Sequence, residues 1–141
     1  MLKKLKKKHA FVKKFLVTDK KPHLWVNLTG CHSYGEFNNS HLLVNITTYY
    51  KNTTRDDIAI CIIDANEHSY LYVTSYVAYN YSKIIDDLHA TSIASSNTYS
   101  HQPDISNVMH KKICQGFLEI NEQYIDIDHK NFLISYLTKE K

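Results

Sequence analysis

Apolar residues along this chain gather into short runs that start or stop on a polar side chain. His23-Leu-Trp-Val-Asn-Leu-Thr29, His41-Leu-Leu-Val-Asn-Ile-Thr-Thr48 and Ile58-Ala-Ile-Cys-Ile-Ile-Asp64 are three of them, and Glu67-His68-Ser-Tyr-Leu-Tyr72 follows closely. Short apolar runs separated by turn residues predict β-strands. The expected strands cover 23–29, 41–48, 58–63 and 68–73, with a short fifth over 75–79. Gly30 and the stretch Ser33–Asn39 form a hairpin connection, Lys51–Asp57 a polar loop, and Asp64–Glu67 a turn. The second and third strands show no clean alternation, which predicts burial on both faces. In the fourth, Tyr70 and Tyr72 lie opposite Leu71 and Val73.

The second half changes period. Tyr81–His89 reads as a short helix and the Ser/Thr/Asn-rich 91–101 as a loop. Pro103-Asp104 opens the clearest helix, expected over 104–121 and capped by Asp104 or Ser106. Its apolar face carries Ile105, Val108, Met109, Ile113, Phe117 and Ile120. Residues 123–138 fit strand and helix equally. At the start, Leu2, Leu5, His9, Val12 and Leu16, with Phe11 and Phe15, fit one face of a basic helix that ends before Pro22. The sum is an α+β, mainly β chain. A basic helix or arm over 1–22 precedes a single small antiparallel barrel domain over 23–141, with helix 104–121 packed on it. Side chains fill the interior of so small a barrel, so a ligand belongs at its rim.

Charge and composition sharpen this. Residues 1–22 hold nine Lys against one acid, Asp19, and the rest hold eight Lys and Arg against thirteen acids, so the net charge of +3 hides a positive tail on a negative body. For the tail, a solvated helix, a nucleic-acid contact and a membrane-surface contact are all open readings. Its apolar runs are too short for a signal peptide, and no stretch of the chain reaches the length of a membrane span. With 3 Gly and no G-x-G-x-x-G or G-K-[ST], a phosphate-cradling loop is excluded. Cys31, Cys61 and Cys114 are odd in number and form no C-x-x-C pair, which fits reduced thiols in a cytoplasmic protein.

One resemblance bears on function. Lys21-Pro-His-Leu-Trp-Val26 and Leu42-Leu-Val-Asn-Ile-Thr47, with a final helix containing Ile113 and Gly116, resemble the SH3-like barrel of the MazF/PemK toxins. That family opens its barrel with a basic residue and proline, and ends the next long strand on Thr or Ser. The resemblance implies an RNA-binding, toxin-type protein, a metal-independent endoribonuclease of a toxin–antitoxin module without cofactor. Its implied partners are single-stranded RNA, a small antitoxin protein and a second copy of the chain. Thr47 matches the family's active-site Thr or Ser, and Lys21 or His23 falls near its catalytic Arg. The family's Arg-Pro pair is absent here, where Lys21-Pro22 stands.

The residues themselves suggest how such chemistry would run. RNA cleavage needs a base for the ribose 2′-hydroxyl, an acid for the leaving oxygen, and donors to the phosphorane. His23 and His68 suit the proton transfers, since imidazole titrates near neutrality. Thr47, Lys51 and Arg55 are candidate phosphate donors, and Tyr70 and Tyr72 can stack a base. The candidate catalytic set is therefore His23, Thr47 and His68; the candidate nucleic-acid contacts are Lys21, Lys51, Arg55, Tyr70 and Tyr72. His23, Asp64 and His68 match no zinc-ligand spacing. The alternative function is a non-catalytic nucleic-acid-binding or protein-interaction module on the same fold.

Overall fold

The computed structural model describes residues 7–8, 10–13, 23–96 and 99–139. Seven strands, β1 (Ala10–Lys13), β2 (His23–Asn27), β3 (His32–Tyr34), β4 (Phe37–Thr48), β5 (Ile62–Ile63), β6 (Ser75–Asp86) and β7 (Ser100–Gln102), form one curled sheet. Among the described residues three α-helices accompany it: α1 (Asp87–Ala94), α2 (Asn107–Glu119) and α3 (Ile127–Lys139). The strand order is β5-β6-β4-β2-β1-β7, with β3 also on β4, and the pairings are antiparallel. The coarse expectation of an α+β chain built mainly on antiparallel strands therefore holds.

The spine is β4. Leu42, Val44 and Ile46 face one side of the sheet, where Leu24, Val26, Val77 and Tyr79 meet Met109, Ile113 and Phe117 of α2 and Phe132 and Leu133 of α3. Leu43 faces the other side with Trp25, Phe11 and Ile85, under Ala90, Ile93 and Ala94 of α1. Both faces are thus buried, as the missing alternation predicted. The β4–β6 register shifts between Leu43, opposite Lys83, and Asn45, opposite Ala78, so that residues 79–82 of β6 stand against Val44 alone.

Several elements differ from the sequence reading. Val12 and its neighbours do not continue a helix: residues 10–13 are extended and pair with both β2 and β7, with Ala10 and Phe11 fully buried. Two β-branched or aromatic residues at Phe11-Val12 suit a strand as well as a helix, and tertiary pairing decides. Leu2, Leu5, His9, Phe15 and Leu16 lie outside the described residues. The fifth strand runs on to Asp86, and the helix expected over 81–89 begins only at Asp87, where Asp86 caps it by accepting from the His89 amide at 2.7 Å. The strand expected over 58–63 is reduced to 62–63, and 68–73 is a loop. In α2, Ser106 is the cap, accepting from the Met109 amide at 3.0 Å, and Val108 points to solvent at 77% exposure instead of joining the apolar face. The ambiguous 123–138 is helical over most of its length as α3.

Gly116 marks the tightest packing between α2 and the sheet. A Cβ there would sit 2.2 Å from the Tyr79 hydroxyl, which donates to the Ile113 carbonyl at 2.7 Å. Burial pushes the Tyr79 phenol well above its ordinary range, so it stays protonated to donate.

Candidate functional site

Three strand ends converge at one edge of the sheet. β2 begins at His23, β4 closes at Thr48, and β6 starts at Ser75. Leu24 pairs with Ile46 in an antiparallel register, which sets His23 and Thr47 at facing positions one step further on. The loop over 68–74 then passes across these ends. Together they enclose a cleft of about 90 Å³ lined by His23, Leu24, Ile46, Thr47, Thr48, Tyr70, Leu71, Tyr72, Val73 and Ser75. Four of the expected site residues, His23, Thr47, Tyr70 and Tyr72, share this cleft.

Its chemistry is limited and specific. The lining combines one histidine, two threonines, two tyrosines and a serine with the apolar Leu24, Ile46, Leu71 and Val73. The volume lies below the roughly 300 Å³ at which pockets begin to enclose a small-molecule ligand. The cleft can therefore seat one group of a longer molecule lying across the surface. Tyr72 projects beside it at 82% exposure, an aromatic face held out to solvent.

His68 has a different place. Its ring is buried, Nε2 lies 2.7 Å from the Pro103 carbonyl oxygen, and Nδ1 accepts the Tyr70 amide at 3.1 Å. A carbonyl can only accept and an amide can only donate, so the ring is the neutral Nε2–H tautomer with both nitrogens engaged. His68 holds the 68–74 loop in position and does not line the cleft. The loop, in turn, carries Tyr70 and Tyr72 to the cleft, so the residue acts on the site through its neighbours.

The expected phosphate donors separate. Arg55 donates from Nε and an Nη to the two oxygens of Asp57, at 3.1 and 2.6 Å, and from that Nη to the Tyr124 hydroxyl at 3.1 Å. Its guanidinium also stacks over the Tyr124 ring. The Tyr124 hydroxyl and Arg55 hold the Asp57 carboxyl below its ordinary range, which marks this trio as a clasp between the 51–57 loop and the segment before α3. Arg55 does not line the cleft. Lys51 is exposed on the turn that follows β4, a few residues beyond Thr47 and Thr48. Lys21 lies outside the described residues.

Family models, curated proteins and solved structures give no match to this chain. The site therefore stands on its own geometry.

Sequence reading did not single out Leu71, Val73 or Ser75 as lining residues. In a strand Leu71 and Val73 would lie on the face opposite Tyr70 and Tyr72, and only the loop conformation brings all four to one cleft. No helix among the described residues is long and apolar enough to cross a membrane.

Proposed function

We propose that this chain is a nucleic-acid-binding protein whose cleft at the β2, β4 and β6 ends receives single-stranded RNA. The carrying observation is the meeting of His23, Thr47, Tyr70 and Tyr72 in one shallow cleft, three of them aromatic or imidazole rings. Any base offers a π-face to such rings, and stacking suits a shallow site that cannot enclose a ligand. Thr47 supplies a hydroxyl donor, and Lys51 adds a cation beyond the same end of β4. The Lys-rich first residues of the sequence add the positive charge that phosphates require, offsetting an otherwise acidic body.

Binding without cleavage is the form of this proposal that the geometry supports best. Cleavage needs both a base and an acid, and His68 has no ring nitrogen to spare. The second reading, a metal-independent endoribonuclease of the MazF/PemK toxin type with a small antitoxin as partner, is favoured by one observation: His23 and Thr47, each next to the paired Leu24 and Ile46, line the same cleft. In that reading His23 works with a group other than His68.

The test is a binding titration of the full chain with fluorescent single-stranded RNA, run beside a cleavage assay on the same oligonucleotide. Saturable, salt-sensitive binding without shortened product supports the binding module. Product formation that survives chelator and disappears in His23→Ala supports the nuclease. Absence of both overturns the proposal.

A further inference from the structure

On the sheet face that α1 covers, three different metal-ligand chemistries meet. Cys31 lies on the loop after β2, His41 on β4 and Asp87 at the first position of α1, and one donor atom from each lies within 4.8 Å of the other two. From these we infer a divalent transition-metal site, of zinc type, formed by the Cys31 thiolate, the His41 imidazole and the Asp87 carboxylate.

The framework is already built around the imidazole. His41 is fully buried and its Nε2 lies 2.9 Å from Asp87 Oδ1. Its Nδ1 accepts from the Asn27 side-chain amide at 2.9 Å, and Asn27 Oδ1 accepts in turn from the Gly30 amide at 2.9 Å. A metal-ligating histidine donates its second ring N–H to an acceptor, and the Asn27 side chain stands at that nitrogen of His41, with its amide group toward it in the metal-free protein. Asp86 takes the capping bond of α1, so Asp87 is not needed to cap the helix. Gly30, at φ +66°, turns the chain so that Cys31 comes back over β4.

The donor set selects the ion. Sulfur, nitrogen and oxygen together suit zinc and its neighbours, whereas magnesium and calcium take oxygens alone. Tetrahedral zinc with bonds of about 2.0–2.3 Å brings its donors to roughly 3.3–3.7 Å of one another, so small side-chain rotations close the present spacing. Cys31 is exposed and Asp87 half-exposed, which leaves a fourth position facing solvent. On loading, the thiol releases its proton to solvent. The imidazole proton moves from Nε2 to Nδ1, and the Asn27 amide turns to accept it, giving up its bond to Gly30.

Tag-free, reduced, full-length protein titrated with Co²⁺ tests this. The expected result is a thiolate-to-cobalt charge-transfer band that saturates at equimolar metal and is displaced by Zn²⁺. Cys31→Ser should abolish the band, and Asp87→Asn should weaken binding by at least about tenfold, with the metal-free melting temperature of both near wild type. Cys61 and Cys114 are buried, and burial pushes their thiols up, that of Cys114 to about 12, so neither competes as a thiolate. No band at equimolar metal, a band that persists in Cys31→Ser, or binding unchanged in Asp87→Asn would overturn the site.

Discussion

The His68 imidazole and the Pro103 carbonyl are joined by a 2.7 Å hydrogen bond that ties the cleft-forming loop to the segment entering α2. The bond crosses 35 residues of sequence and is made by a buried ring. His68→Ala would leave that carbonyl and the Tyr70 amide without their partner. A loss of about 1–3 kcal/mol in unfolding free energy is expected, measured by chemical denaturation. His68→Ala with wild-type stability would show that the ring does not hold the loop.

Gly116 and Tyr79 give a prediction whose sign is informative. In an exposed helix, Gly→Ala stabilises by about 1 kcal/mol. Here the new methyl would meet the Tyr79 hydroxyl at 2.2 Å, so Gly116→Ala should destabilise instead. Tyr79→Phe removes the obstructing oxygen and should recover part of that loss in the double variant, a non-additivity that a double-mutant cycle reads directly.

Phe11 tests the place of the first strand. It is fully buried against Trp25 and Leu43 and meets the Tyr99 ring at 5.3 Å. Phe11→Ala should cost about 3–5 kcal/mol, as for other buried aromatics. A dispensable basic arm would instead tolerate the change with no shift in melting temperature.

His129 sets a pH dependence. Burial lowers its pKa below the ordinary 6.5, outweighing Asp126 and Asp128, which raise it, while Lys83 adds to the lowering. Its Nδ1 contacts the Ser82 hydroxyl at 2.8 Å. A histidine with a depressed folded pKa takes up its proton more readily when unfolded, so stability is present above about pH 6.5 and falls as pH drops below it. The melting temperature should decline between pH 7.5 and 5.5, and His129→Gln should flatten that decline.

What the sequence made legible follows from the physics of each segment. β2 and β4 were readable because an apolar run with burial on both faces leaves few alternatives to a central strand. The apolar face of α2 was readable from its period, apart from Val108, whose position at the edge of that face only packing could assign. β1 was not readable: four residues amid lysines carry helical and extended patterns at once, and only their pairing with β2 and β7 chooses. The 68–73 loop misled because Tyr and Leu alternate there as in a strand, while a His68 bond to a distant carbonyl holds it out of the sheet. At the site, the sharing of one cleft by His23 and Thr47 was legible from their places at strand ends, and the withdrawal of His68 into the loop anchor was not. The capture of Arg55 by Asp57 and Tyr124 was not, since Tyr124 lies 69 residues away.

Tyr72 is the most exposed aromatic of the cleft. Fluorescence anisotropy with a single-stranded RNA oligonucleotide should show Tyr72→Ala binding roughly 5- to 150-fold more weakly, the loss of about 1–3 kcal/mol that one base stack represents. His23→Ala should also weaken binding, and Leu88→Ala, on the exposed side of α1, should not. Equal affinity of wild type, Tyr72→Ala and His23→Ala, or no RNA binding by the wild-type chain at low salt, would contradict the account.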